Sequence, residues 1–217
     1  MGLSRKLFGW FALVGGVSAI SYAGRVTGGK PPKNAVFQYS TAIGELILFA
    51  IILGVVFLIA RDLPKREAFA LRRPDSWRGA FRLGLAVLLA IGIANAALNP
   101  VLHPGREQGL TPSGWQASHA AAFATNLFVL SVVGPVTEEL VFRGLGFYLL
   151  EPLGQTAAIL VLGITFGLWH GLVEALPVLV VFGLGLAFLR SRTRSIFPGM
   201  ILHAIFNGAA LVLAVTV

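Results

Sequence analysis

The sequence lacks cysteine and has few charged residues. With no cysteine in 217 residues, a disulfide scaffold, a thiolate metal site and a cysteine nucleophile are all excluded. Charged residues make up 12% of the chain and hydrophobic residues 56%, whereas a soluble domain usually has about 25% charged residues. Because so few charges cannot cover a surface that faces water, the composition indicates a membrane protein and excludes a disordered or collagen-like chain.

The charge that is present is mainly basic, with a net charge of +8 and a pI near 10.9. In a soluble protein this excess would suggest nucleic acid, but in a membrane protein basic loops set the topology and face anionic lipid. The basic residues concentrate between Arg61 and Arg82 and between Arg190 and Arg194. We therefore expect both loops on the cytoplasmic side, and no nucleic-acid partner.

Seven apolar stretches approach or reach the roughly 20 residues that a helix needs to cross a bilayer. They are Leu7–Ala23, Ser40–Ala60, Ala80–Leu98, Ser118–Val136, Thr156–Leu176, Val178–Leu189 and Ile196–Val217. Their continuous apolar character argues against the alternating strands of a membrane barrel. The sequence predicts an all-α polytopic membrane bundle of about 7–8 transmembrane helices. Residues 1–117 supply the N-terminal helices and residues 118–217 the remainder of one membrane domain.

Seven spans place the N-terminus, with Arg5 and Lys6, in the cytoplasm, and in a bacterium the membrane would be the plasma (inner) membrane. The loops that contain Lys30, Lys33, His103 and Arg106 then face outward. Leu7–Ala23 also resembles a signal peptide, since it has a basic start, an apolar centre and small residues at its end. Because the rest of the chain is polytopic, we favour a retained helix over a cleaved one.

Ionisable groups inside the apolar stretches are few, and each is a candidate functional residue because a charge in hydrocarbon is costly. They are Glu45, Glu138, Glu139, Arg143, His170, Glu174 and His203. Glu45 is expected to pair within the bundle or to reach the interface. Glu174 is expected at a solvated helix end, with the alternative that it orients His170.

The adjacent acids in GPVTEELVFRG are the strongest signal. Glu139 and Arg143 are four residues apart and share a helix face, which predicts that they pair and leave Glu138 for chemistry. Gly134-Pro135 is predicted to kink or restart the helix and so to place both carboxylates near a helix N-terminus. The alternative is a structural ion pair beside a Glu138 with no chemical role.

Two further pairs lie in the last apolar stretches: Phe166 with His170, and His203 with Asn207. Alone, each pair also fits ordinary packing or hydrogen bonding between membrane helices. Glu138, His170, His203 and Asn207 are together candidates for one cavity. In it Glu138 and His170 would deprotonate a water, and His203 and Asn207 would stabilise an oxyanion. Alternatively, a carboxylate and two histidines bind a divalent metal such as zinc. Both arrangements hydrolyse an amide.

These motifs resemble those of the CPBP family, the CAAX-protease and bacteriocin-processing (ABI) family of intramembrane proteases. The matching residues are Glu138, Glu139 and Arg143 in EExxxR, Phe166 and His170 in FxxxH, and His203 and Asn207 in HxxxN, in that order and spacing. The resemblance covers about residues 120–217. It implies a bundle of about eight helices with endopeptidase activity, as in the removal of the C-terminal tripeptide from prenylated proteins.

The resemblance also implies roles for these residues. Glu138 would be the general base, His170 would help to hold the water, and His203 and Asn207 would form the oxyanion hole. Glu139, Arg143 and Phe166 would support them. The chain has no His-Glu-x-x-His sequence, which weakens a conventional zinc site in a metalloprotease. The favoured mechanism therefore uses no cofactor, and the alternative uses one divalent metal bound by Glu138, His170 and His203.

Prokaryotes largely lack prenylated CAAX proteins, so the expected substrate of a bacterial member is a membrane protein or a peptide. Two alternatives to proteolysis remain. One is a non-catalytic protein of the same fold, in bacteriocin self-immunity or membrane scaffolding. The other is a small transporter or proton relay, which the lack of a repeat-symmetric counterpart to the polar cluster disfavours.

Overall fold

The computed structural model describes residues 2–28, 34–102, 107 and 114–216, and these residues form helices, with no strand among them. The helices are α1 (Leu3–Thr27), α2 (Tyr39–Ile59), α3 (Lys65–Ala68), α4 (Trp77–Leu102), α5 (Ala117–Leu153), α6 (Gln155–Trp169), α7 (Leu176–Thr193) and α8 (Phe197–Thr216). The prediction of an all-α polytopic bundle is confirmed. All except α3 and α6 are long and apolar enough to cross a membrane.

The predicted span Thr156–Leu176 is too long, since α6 has 15 residues and ends at Trp169. A helix of that length is about 22 Å long, which is shorter than the hydrocarbon layer. The chain turns at Gly171, whose φ of +65° favours glycine. It becomes helical again at Leu176, with Pro177 in the first turn, where proline's missing N–H costs nothing. The apolar stretch is thus divided into a helix, a turn and the start of α7.

Helix α5 is one helix of 37 residues that contains two π-helical segments, Val129–Val133 and Leu140–Gly146. Of the predicted kink or restart at Gly134-Pro135, the restart is not found, because the backbone stays helical at Gly134 (φ −58°, ψ −60°). The Gly134 N–H bonds to the Val129 carbonyl, five residues back, and this wider turn accommodates a proline that has no N–H to donate. Both acids therefore lie inside a continuous helix and not at a helix N-terminus.

Contacts between distant segments place the two basic loops at the same end of the bundle. Lys6 Nζ donates to the Ile59 carbonyl at 2.8 Å, so the start of α1 meets the end of α2. Arg72 Nε donates to the Arg194 carbonyl at 2.7 Å, which joins the loop after α3 to the end of α7. The predicted arrangement, with both basic loops and the N-terminal residues on one face, is therefore found.

The opposite end of the bundle carries the turn between α6 and α7. Tyr22, near the end of α1, donates its hydroxyl to the Leu172 carbonyl at 3.2 Å. Arg25 pairs there with Glu107. The other charged residues predicted at this face, namely Lys30, Lys33, His103 and Arg106, lie outside the described residues.

The hydrophobic core contains residues from both halves of the chain. Trp10 of α1 is fully buried and donates its indole N–H to the Val141 carbonyl at 2.8 Å, so the first helix packs on the π-helical part of α5. Helices α6 and α7 approach closely because both carry glycine at the contact: a Cβ on Gly183 would lie 2.8 Å from the Gly163 carbonyl oxygen. Residues 1–117 and 118–217 thus contribute to one packed bundle.

Candidate active site

A cavity of about 460 Å³ opens into the bundle, and its lining includes polar groups from α5, α6 and α8. Glu138 comes from the middle of α5, His170 from the end of α6, and His203 and Asn207 from α8. All four residues predicted to act together therefore line one space. The volume is in the range of cavities that bind small molecules or short peptide segments.

The Glu138 carboxylate faces both histidines without touching either. Its Oε2 lies 3.7 Å from His203 Nε2 and 3.9 Å from His170 Nε2, which is too long for a direct hydrogen bond. This oxygen is buried and has no hydrogen-bond partner among the described residues. It is therefore placed to accept a proton from a small group held between the three side chains.

Glu139, the acid next to Glu138, lies in a different environment. Glu139 Oε1 accepts from Arg143 Nη1 at 3.0 Å, and Arg143 Nη2 donates to the Gly183 carbonyl at 2.9 Å. Both side chains of the pair are fully buried. A Cβ on Gly199 would lie 2.6 Å from Glu139 Oε2, so only glycine lets α8 approach this carboxylate. The predicted pairing of Glu139 with Arg143 is thus present.

The ring of His203 bridges the two acids. Its Nδ1 is 3.3 Å from Glu139 Oε1, and its Nε2 faces Glu138. Because an ionised carboxylate can only accept, Nδ1 is the donor in the contact with Glu139. A histidine that donates from Nδ1 can also donate from Nε2 only as the imidazolium. In the imidazolium form His203 therefore donates to Glu139 from Nδ1 and presents a second donor, Nε2–H, to the cavity.

His170 is oriented by its own helix. Its Nδ1 lies 2.9 Å from the Phe166 carbonyl oxygen, which accepts, so Nδ1 carries the proton. In the neutral ring Nε2 is then a free acceptor directed to Glu138. The predicted alternative that Glu174 orients His170 is wrong, because Glu174 is exposed and the backbone of Phe166 fills that position.

The Phe166 side chain packs among the polar groups of the site. It is fully buried, with its ring centroid 4.9 Å from that of His170 and 5.7 Å from that of His203. The Arg143 guanidinium lies over the same ring, 4.5 Å from its centroid. Phe166 therefore fixes the relative positions of both imidazoles and the buried ion pair.

Asn207 is held by the first π-helical segment. Its Nδ2 donates to the Leu130 carbonyl at 3.2 Å. That carbonyl is free because the Gly134 N–H bonds to Val129 and the next residue is Pro135, which has no N–H. The amide nitrogen has two hydrogens, so one remains for the cavity. Gly134-Pro135 therefore contributes to the site by exposing a carbonyl.

Sequence reasoning missed Glu107, although it supports the turn that follows His170. Its two carboxylate oxygens accept from the backbone N–H groups of Val173 and Ala175, each at 2.8 Å. The side chain is 1% exposed and pairs with Arg25. Because Glu107 is far from this turn in the sequence, no local pattern could have indicated the contact.

Glu45 of α2 also lines the cavity. The predicted pairing within the bundle is not found, since Glu45 has no hydrogen bond or ion pair with any described residue. It therefore adds a carboxylate to the cavity wall on the side of the N-terminal helices.

The alternative of a metal held by Glu138, His170 and His203 has no support among the described residues. In the described part of the chain, no group of three or more histidine, aspartate or glutamate side chains is arranged to hold a metal ion. His170 Nδ1 is engaged with Phe166 and His203 Nδ1 with Glu139, so each ring directs its Nε2 to Glu138.

Comparisons with known proteins agree with this assembly of motifs. The family described as "Type II CAAX prenyl endopeptidase Rce1-like" matches residues 120–209, a range that includes every motif residue from Glu138 to Asn207. The "Putative membrane peptidase YdiL" of Bacillus subtilis (strain 168) is 30% identical over 190 residues, which cover 82% of this chain and 74% of that protein. No solved structure matches the chain.

Proposed function

Because the chain belongs to the Rce1-like CAAX prenyl endopeptidase family and is an integral, multi-pass membrane protein, we propose that it is an intramembrane endopeptidase. In this proposal it hydrolyses a peptide bond of a membrane-associated protein or peptide. The observation that carries the proposal is the convergence of Glu138, His170, His203 and Asn207 on one cavity within the bundle. The description of the Bacillus subtilis relative as a membrane peptidase supports it.

In the first step, Glu138 and His170 activate a water. Glu138 Oε2 and His170 Nε2 are both acceptors and lie 3.9 Å apart, so one water between them can donate a hydrogen to each. Glu138 takes the proton as the water oxygen attacks the scissile carbonyl. It later gives this proton to the leaving amine, which restores the carboxylate.

In the same step, negative charge develops on the carbonyl oxygen. The His203 Nε2–H and the free N–H of Asn207 are the donors on the α8 side of the cavity. Donors that are already fixed before the reaction stabilise this oxyanion without a further cost of reorganisation. In this proposal His203 acts as the imidazolium with its Nδ1 directed to Glu139, and the Leu130 carbonyl holds the Asn207 amide.

Replacement of Asn207 by alanine is expected to lower kcat by about 10²–10³-fold, because one oxyanion donor is removed. Cleavage of a peptide substrate by purified protein in detergent would measure this effect. Thermal unfolding of the same sample measures the loss of the Leu130 hydrogen bond, which costs only about 1 kcal/mol. A kcat that stays near wild type while stability falls would assign Asn207 a purely structural role.

Removal of metal ions is expected to leave cleavage unchanged, since the proposed mechanism uses only side chains. Purified enzyme is dialysed against a strong chelator, its zinc content is measured, and activity is compared before and after. Loss of activity that zinc restores would contradict the glutamate mechanism and support a metalloprotease.

The substrate itself can be sought in cells. Membranes from cells with the wild-type protein and with Glu138→Ala are compared by proteomics, and uncut precursors are expected to accumulate in the variant. In contrast, a self-immunity or scaffolding role without catalysis predicts a cellular phenotype that survives Glu138→Gln.

A further inference from the structure

A second cavity, of about 420 Å³, lies at the end of the bundle that carries the basic loops. Four arginines border it: Arg66, Arg72, Arg190 and Arg194. We call it the arginine pocket. It is formed where α5 and α7 end, near α3, and it shares no lining residue with the cavity that holds Glu138.

The deepest arginine of this pocket is fixed but incompletely bonded. Arg190 is 7% exposed, its Nε donates to the Arg143 carbonyl at 3.1 Å, and its guanidinium lies over the Phe147 ring, 4.7 Å from the centroid. Its two terminal nitrogens have no hydrogen-bond partner among the described residues. These nitrogens are not among the fully buried polar atoms without a partner, and Arg190 lines the pocket, so they can donate to an acceptor that enters it.

A second buried group in the pocket is also unsatisfied. The Ser191 hydroxyl is buried and has no hydrogen-bond partner among the described residues, and Ser191 lines the same cavity. A guanidinium and a neighbouring hydroxyl that both lack partners are typical of a site for an oxyanion.

The charge of the lining favours an anion with more than one negative charge. Four arginines and two acids, Glu67 and Glu151, line the pocket, which leaves an excess of two positive charges. None of these arginines forms a salt bridge with a described acidic residue. Arginine binds phosphate oxygens through two parallel N–H donors, so phosphate is the matching chemistry.

The position of the pocket identifies the source of this phosphate. Large apolar side chains are exposed beside it or at the same end of the bundle, with Leu71 38%, Trp77 49% and Leu153 62% exposed. Exposed tryptophan at the ends of spanning helices marks the interface between membrane and water. Phosphates of lipid headgroups lie at this depth, and basic pockets between helices bind them. We propose that the arginine pocket binds the phosphate of an anionic lipid headgroup.

The test compares lipids and a pair of matched variants. Full-length protein is purified in detergent, and its thermal unfolding is followed as phosphatidic acid, phosphatidylcholine or inorganic phosphate is added. Binding to the native state is expected to raise the midpoint by about 5 °C at saturating phosphatidic acid, with little effect of phosphatidylcholine. The double variant Arg66→Gln/Arg194→Gln is expected to weaken this binding by about tenfold or more. Both arginines are exposed, so this change spares the core.

Arg192→Gln is the matched control. Arg192 is exposed near the same end of α7, stacks on Phe188 and does not line the pocket. It should keep the wild-type response. An equal loss in Arg192→Gln would overturn the proposal, because it would show attraction to the basic surface in general. Equal effects of the two lipids on the wild-type protein would also overturn it. A response to inorganic phosphate without a response to phosphatidic acid would overturn lipid binding and assign the pocket to a soluble phosphate.

Discussion

Replacement of Glu138 by glutamine is expected to lower kcat for peptide cleavage by about 10²–10⁴-fold, the usual contribution of a general base. Glutamine has nearly the same shape but cannot accept the proton of the attacking water. The fold should persist, since Glu138 Oε2 has no hydrogen-bond partner among the described residues and the buried ion pair involves Glu139. Cleavage of a peptide by the purified variant, with thermal unfolding of the same preparation, measures both effects.

Glu174→Gln is the control for this experiment. Glu174 is an exposed acid in the turn that follows His170, so the change removes a carboxylate nearby along the chain without entering the mechanism. Its activity should match wild type. Cleavage by Glu138→Gln at the wild-type rate would contradict the assignment of Glu138 as the general base.

Replacement of Arg143 by methionine is expected to destabilise the protein by about 3–5 kcal/mol, because it leaves the buried Glu139 carboxylate without its cationic partner. Arg143 also donates to the Gly183 carbonyl and stacks on Phe166, so α5, α6 and α7 all lose a contact. For a chain of this size the unfolding midpoint would fall by about 10 °C. Thermal unfolding in detergent measures the change.

A second variant keeps this prediction testable if Arg143→Met does not fold. Arg143→Lys retains the charge but cannot donate to both Glu139 and Gly183 in the same planar geometry, so an intermediate loss of stability is expected. Removal of the acid as well, in Glu139→Gln/Arg143→Met, should recover part of the stability, since no unpaired charge remains buried. If the double variant were less stable than Arg143→Met, the account of an unpaired carboxylate would be wrong.

Much of the bundle is predictable because the apolar stretches are long and the basic residues are clustered. The ends of the helices are harder to predict, since hydropathy alone does not show where a helix stops. The stretch Thr156–Leu176 reads as one span, yet the backbone turns at Gly171 and begins a new helix before Pro177. The stretch Ser118–Val136 reads as a span that ends before the charged residues, yet helix α5 continues through them to Leu153.

The site is predictable to the extent that its contacts follow helical spacing. The pair Glu139 and Arg143 was predicted from a separation of four residues, and the structure contains it. Contacts made by backbone atoms were not predictable in this way. Asn207 reaches the Leu130 carbonyl only because α5 becomes π-helical before Pro135. The pattern of side chains in a sequence does not show that a backbone carbonyl lacks its usual helical partner.

The charges around the cavity have a consequence for what can enter it. Glu45, Glu107 and Glu138 line its wall, and none of the described lining residues is a lysine or an arginine. Glu107 is compensated by Arg25, but Glu45 faces the cavity without a partner among the described residues. In a low-dielectric space a bound carboxylate would be repelled and an ammonium group attracted. If the chain cleaves peptides as proposed, we therefore expect the residues on either side of the cleaved bond to be neutral or basic.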